Sequence, residues 1–330
     1  MPRRLFLHAF LFLAVVSLAS GQAARHFIFH YAFTVKDVPA GEHARIWFPA
    51  AHSDDYQDVR VVSANGDLSL KKTRESRFGN ELYYAESSKS KGGDLRFEIT
   101  YDVVRHEHVT LGSQRPRLEN ASLQAKERKE FLGSDKLVPI AGLPAQLAVQ
   151  AVATQTTELG KARAIYDYVF ANMRYDKTGS GWGRGDVLYA CDAKKGNCTD
   201  FHSLFISMAR SQGIPSRFEI GFPLPTDKAS GEIAGYHCWA EFFDPKNGWV
   251  PVDISEAWKH FEKKDYFFGA HDANRIQFSL GRDLKLNPAQ QGDPLNYFVY
   301  PYVEIGAKEY SNLNFQFSFA DVPARATGTQ

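Results

Sequence analysis

The chain has 330 residues, enough for about two domains, and its 39 Lys and Arg nearly balance its 38 Asp and Glu. That balance excludes bulk attraction to nucleic acid or to an anionic membrane as the basis of function. Three cysteines are too few for a disulfide-built scaffold at this length, and their odd number leaves at least one thiol without an intramolecular partner.

At the N-terminus, Arg3 and Arg4 precede a mostly apolar run from Leu5 to Leu18 and then mostly small residues from Ala19 to Ala24. This is the order of a secretory signal peptide, and the run is shorter than the roughly 20 residues of a membrane-spanning helix. Cleavage after Gly21 or after Ala23 satisfies the small-residue rule equally. Residues 1–23 are therefore expected to be removed and the rest exported, periplasmic or extracellular, with no integral membrane segment after cleavage.

Residues 24–115 read as a run of short strands. HFIFHYAFTV, ARIWFP, DVRVVSA, ELYYAES and DLRFEITYDVV are β-branched and aromatic, and turn residues such as Pro39-Ala40-Gly41 and Lys91-Gly92-Gly93 separate them. Such spacing predicts an antiparallel β-sandwich with a structural or substrate-shaping role. His106, Glu107 and His108 alternate on its last strand and are read as surface. The polar, charged stretch that follows is read as a linker over 116–140, ahead of a core over 141–320.

A helical pattern runs from about Pro144 to Met173, with Ala162, Ile165, Tyr166, Val169 and Phe170 at helical spacing. The Gly-rich loop TGSGWGRGD then leads through Cys191 to GNCTDFHSLF, Gly196 to Phe205. Here Phe201, Leu204, Phe205 and Met208 form one apolar face, and Gly213 and Pro215 end the helix. The helix is expected to be buried, with Cys198 in its first turn. Two strands follow, YHCWAEFFD and GWVPVD, joined across Asp244-Pro245-Lys246-Asn247-Gly248. A turn centred near residue 245 puts His237 and Asp253 opposite each other or one diagonal step apart, and Pro251 requires a sheet edge or a bulge. YFVYPYVEI and FQFSF are further strand-like pieces, and 321–330 is read as a disordered tail.

A thiol at a helix N-terminus meets the positive end of the helix dipole and unpaired backbone N–H groups, which favour its thiolate. Cys198, His237 and Asp253 thus supply a nucleophile, a base and an orienter for the base. Taken alone, Cys198 would read as a small buried hydrophobe; the flanking segments turn the reading towards a thiol hydrolase or acyltransferase. The Cys198 N–H is the natural first oxyanion donor.

GNCTDFHSLFISMARSQGIPSRFEIGFP, GYHCWAEFF and GWVPVDISEA together resemble the transglutaminase-like superfamily of papain-related thiol enzymes, and in particular bacterial exported members. The resemblance covers about residues 140–305. It implies a Cys198–His237–Asp253 triad on a core of helices packed on an antiparallel sheet. Members include peptidases, amidases, crosslinkers and inactive forms, so the resemblance fixes no single activity. Trp182 resembles the tryptophan that some transglutaminases use as a second oxyanion donor, but its spacing from the cysteine differs, and a packed loop aromatic is the alternative.

The remaining signals are set aside. Cys191, Cys198, Cys238 and His237 lack Cys-x-x-Cys or His-x₃-His spacing, so no metal is expected, and there is no EF-hand-like acidic loop. Arg184-Gly185-Asp186 spells an adhesion tripeptide but adjoins the site, and Asn197-Cys198-Thr199 is a poor glycosylation acceptor because its middle residue is the candidate nucleophile. Cys191 and Cys238 are expected to pair with each other if they pair at all, since Cys238 alternates in direction with His237; three reduced thiols are the alternative. The fold expected is α+β, an N-terminal antiparallel β-sandwich followed by a transglutaminase-like core. The chemistry expected is cofactor-free acyl transfer from a peptide, isopeptide or amide of a peptide or protein substrate, water being the usual acceptor. An amine-accepting crosslinker and a catalytically silent binding module are the alternatives.

Overall fold

The computed structural model describes residues 23–112 and 121–323. Nearly all of the expected signal peptide, the residues 113–120 and the last seven residues lie outside that range. The first half contains β1 (Ala24–Val38), β2 (Ala44–Pro49), β3 (Gln57–Gly66), β4 (Lys71–Arg74), β5 (Glu81–Ser87), β6 (Gly93–His106) and the short β7 (His108–Val109). The second begins with α1 (Ala125–Leu132), α2 (Leu143–Ala151), α3 (Glu158–Asn172), β8 (Arg174–Tyr175), α4 (Val187–Ala193), β9 (Lys195–Gly196) and α5 (Cys198–Ser211). After these come β10 (Ser216–Pro223), β11 (Ser230–Glu232), β12 (His237–Asp244), β13 (Gly248–Val252), α6 (Ile254–Lys259), β14 (Ala270–His271) and β15 (Arg275–Leu280). The chain ends with β16 (Tyr302–Ile305), β17 (Lys308–Glu309) and β18 (Leu313–Asp321).

The sandwich is made of two antiparallel sheets, ordered β11-β18-β1-β6-β3 and β17-β16-β2-β5-β4. Strict alternation in β1 buries Phe27, Phe29, Tyr31, Phe33 and Val35 on one face, as a half-buried strand requires. Phe48 of β2 closes the gap between the sheets, with its ring centroid 5.0 Å from Phe33 and 5.8 Å from Phe97. Further along the same face, Phe29 and Tyr31 meet Phe222 and Phe278 of the second half at 5.4–6.1 Å. One continuous apolar core therefore runs through both halves.

The sequence boundaries differ from the structure in two places. Residues 302–320 were expected in the core, but β18 pairs with β1 and β16 with β2, completing both sandwich sheets. Within the stretch read as a linker, AKERKEFL forms α1, anchored by Phe131 as its one buried residue.

The core sheet has the order β13-β12-β10-β15. Across one of its faces lies α5, buried from Cys198 to Arg210 and flanked by α2, α3, α4 and α6. The helical pattern of residues 144–173 divides into α2 and α3, with Thr157 capping α3 through the Gly160 N–H; the five apolar residues of the α3 stripe are all buried. Pro251 sits on edge strand β13, where its missing N–H removes no bond from the ladder with β12 and its carbonyl accepts from the Gly269 N–H.

Candidate active site

Asn197 is the N-cap of α5: its side chain accepts the Thr199 N–H at 2.9 Å, which makes Cys198 the first helical residue, where no carbonyl of the helix precedes its N–H. Asp200 completes a capping box by accepting the Asn197 N–H at 2.9 Å. The same carboxylate accepts from Gly183 at 2.7 Å and Gly185 at 3.0 Å, so it ties the Gly-rich loop across the mouth of the helix. Burial pushes Asp200 up from the ordinary carboxylate range, and these three backbone donors resist it. Gly196 is required here: its φ is +155° and a Cβ would lie 2.1 Å from Asp200 Oδ2. With its side chain spent on capping, Asn197 is 5% exposed, and Asp186 is spent likewise on the Leu188 N–H as N-cap of α4. Asn197 is thus not presented to solvent as a glycosylation acceptor.

His237 opens β12 and Asp253 follows β13. The hairpin ladder runs from Asp244↔Gly248 to Ala240↔Val252, so Asp253 lies one diagonal step from His237, within the expected range. The ladder ends there, and Asp253 becomes the N-cap of α6, its Oδ1 accepting from Glu256 N–H at 3.1 Å and the Ser255 hydroxyl at 3.2 Å. Its Oδ2 is 2.7 Å from His237 Nε2 and 2.9 Å from Arg275 Nη1. Burial alone would raise Asp253; the His237 charge and hydrogen bond, then Arg275, hold it well below the carboxylate range.

Nε2 of His237 faces Asp253, so Nδ1 is the ring nitrogen left for an interaction with Cys198. Burial works to lower His237, yet the Asp253 charge and hydrogen bond, followed by Cys198, carry it to about 10. Burial likewise opposes a Cys198 thiolate, but hydrogen bonds from Cys238 and His237 and the charge on His237 outweigh it and hold the thiol well below its ordinary range. His237 and Asp253 are thus joined by a hydrogen bond, and Cys198 lies near enough for the imidazole to favour its thiolate and for the thiol to raise the imidazole.

Cys238 is where expectation and structure part. All three cysteines are free, and Cys238 does not turn away towards Cys191. Its thiol is 3.7 Å from Thr199 Oγ1 and 3.8 Å from His202 Nδ1 and close enough to Cys198 to favour that thiolate. The alternation argument holds for the sheet, since His237 and Trp239 share one face. The α5 mouth, however, overhangs the end of β12, where Cys198 meets residues of both faces. Trp182 donates its indole N–H to Gly179 at 3.1 Å, so that donor is engaged within its own loop.

Four contributors escaped the sequence reading. Arg275, 2% exposed, lies on β15 and carries no local signal. His202 lies one turn beyond Cys198 and accepts the Ile254 N–H at Nε2, 3.0 Å away; burial lowers it to about 4 and keeps it neutral. Asp200 was legible as a capping-box acid three residues after Asn197. The Tyr236 hydroxyl is 2.9 Å from both Asn197 Nδ2 and Thr199 Oγ1, and Tyr236, Tyr297 and Tyr300 continue as an aromatic wall. His108, read as surface with its neighbours, is instead buried at 2% exposure.

Residues 145–254 match the transglutaminase-like superfamily. An uncharacterized protein of Haemophilus influenzae is 28% identical over 306 residues, covering 82% of this chain and 83% of its own. YebA of Bacillus subtilis, also uncharacterized, is 27% identical over 146 residues, 39% of this chain and 20% of its own. Among solved structures, a candidate cysteine protease of Cytophaga hutchinsonii shares the fold with a TM-score of 0.61 at 14% identity, covering 92% of this chain and 93% of that one. Among the described residues, no helix is long and apolar enough to cross a membrane.

Proposed function

Residues 145–254 belong to the transglutaminase-like superfamily, and on that premise we propose that the chain is an exported thiol-dependent acyl-transfer enzyme that hydrolyses a peptide, isopeptide or amide bond. The observation that carries the reading is the 2.7 Å contact of His237 Nε2 with Asp253 Oδ2, with Cys198 in the first turn of α5 near enough to raise the same imidazole.

In this reading Cys198 attacks the scissile carbonyl carbon as the thiolate, and the negative charge passes to the carbonyl oxygen beside the Cys198 N–H. Collapse of the tetrahedral adduct breaks the C–N bond, and the imidazolium of His237 gives its proton to the departing amine. The remaining thioester is attacked by water, whose proton returns to His237, and the thiolate leaves as the carboxylic acid forms. Asp253 keeps the ring in one orientation and offsets its charge throughout. No step needs a cofactor.

Incubation with amide and isopeptide substrates in ¹⁸O-water tests the reading. The product acid is expected to carry one labelled oxygen at the new carboxyl group, and Cys198→Ala is expected to abolish turnover in a folded protein. Efficient incorporation of an added amine in place of water would make the chain a transamidase. Unchanged biological activity of a folded Cys198→Ala protein would leave it a binding module.

A further inference from the structure

A group of side chains on the face of the core sheet away from α5 is not used by the proposed chemistry. His108 of β7 and His271 of β14 lie directly across from each other in register, with ring centroids 5.0 Å apart and planes at 88°. Glu241 of β12 points between them, and one ligand atom from each of the three lies within 4.8 Å of the others. All three are buried, at 2%, 0% and 2% exposure for His108, His271 and Glu241.

One detail points to a ligand here. Neither ring nitrogen of His271 has a hydrogen-bond partner, although a buried imidazole left unsatisfied is costly. Beside it, His108 Nδ1 is 3.3 Å from Glu241 Oε1, and His108 Nε2 is 3.0 Å from Thr110 Oγ1. Ligands about 2.0–2.1 Å from a tetrahedral zinc ion are about 3.3–3.4 Å apart. An imidazole whose other N–H is held by an oxygen is the usual metal-binding arrangement.

We propose that His108, Glu241 and His271 bind a divalent transition-metal ion of the zinc class, which fastens the end of the N-terminal sandwich to the core sheet. Two imidazoles and one carboxylate suit such an ion. Neighbouring guanidinium groups do not forbid it, because each already has carboxylate partners: Arg217 with Glu241 and Glu219, Arg275 with Asp253 and Asp272, and Arg105 with Asp54. Trp239 separates the group from the proposed triad, with its ring 5.5 Å from His271 and 6.1 Å from His237. Its members come from three distant segments, so no local pattern in the sequence marks the group.

The test uses the full chain, stripped with EDTA and dialysed against Zn²⁺. About one equivalent is expected to bind, to be weakened at least tenfold in His271→Ala and in Glu241→Gln, and to be retained in Cys198→Ala. A Co²⁺ spectrum of the unsubstituted chain, which depends on no variant folding, is expected to show ligand-field bands without a thiolate charge-transfer band. Absence of binding, retention in both site variants, loss in Cys198→Ala, or a thiolate band would each overturn the proposal and leave His108 and Glu241 as a hydrogen-bonded ion pair.

Discussion

Replacing Asp253 with Asn removes the charge of the proposed triad while its amide oxygen still accepts from His237 and Arg275; the amide nitrogen then faces the Glu256 N–H, so the α6 cap is lost with the charge. Two unit charges about 4 Å apart interact by about 4 kcal/mol at an effective dielectric constant of about 20. At about 1.36 kcal/mol per pKa unit that is about three units, so His237 should fall from about 10 to about 7. The sign follows from the raised value: the imidazolium is complete at low pH and is lost as pH rises through the folded-state pKa. Alkylation of Cys198 by iodoacetate reads this without a known substrate, since the anionic reagent is drawn to the imidazolium beside the thiolate. The alkaline limb of the rate is expected near pH 10 in the parent and near pH 7 in Asp253→Asn. At pH 8.5 the variant then retains about 3% of its imidazolium. Superimposable alkaline limbs would refute the reasoning, because His237 would then owe its charge to something other than Asp253.

Arg275→Met leaves the buried Asp253 carboxylate with less compensation and is expected to cost about 3–5 kcal/mol in urea unfolding at neutral pH. Asp253 is depressed, so its contribution is present above the ordinary carboxylate range and lost as pH falls through the folded value; acid unfolding should therefore begin at higher pH in the variant, and an unchanged acid midpoint would contradict the pairing. Asp200→Asn removes the charge that accepts from Gly183, Gly185 and Asn197 and is expected to cost about 1.5–3 kcal/mol and to slow Cys198 alkylation. A neutral effect on both would separate the capping box from the site.

Local pattern carried much of this molecule. The α5 stripe, the hairpin turn and the alternation of β1 are each written within a dozen residues, and the structure has them where periodicity and turn chemistry put them. What pattern could not carry is long-range pairing. β18 reads as a strand, but nothing within FQFSF says that it joins β1, nearly three hundred residues earlier, rather than the nearer core sheet. Arg275 reads as an ordinary strand residue, and its role depends on β15 lying beside β10 in the folded sheet. Cys238 shows the limit of strand parity: alternation gave its face correctly, but not that the overhanging helix mouth would bring Cys198 to it. The short helix α1 escaped because it buries a single phenylalanine and so leaves no apolar stripe to read.

The central claim is that Cys198 is a nucleophile activated by His237. Labelling of the purified chain with a thiol-reactive peptide probe, followed by mass spectrometry of all three cysteine peptides, tests it most directly. The account predicts modification of Cys198 at neutral pH, with Cys191 and Cys238 spared because burial raises both of their thiols, and loss of labelling in His237→Ala. Labelling of Cys198 no faster than Cys191, or labelling unaffected by His237→Ala, would contradict it.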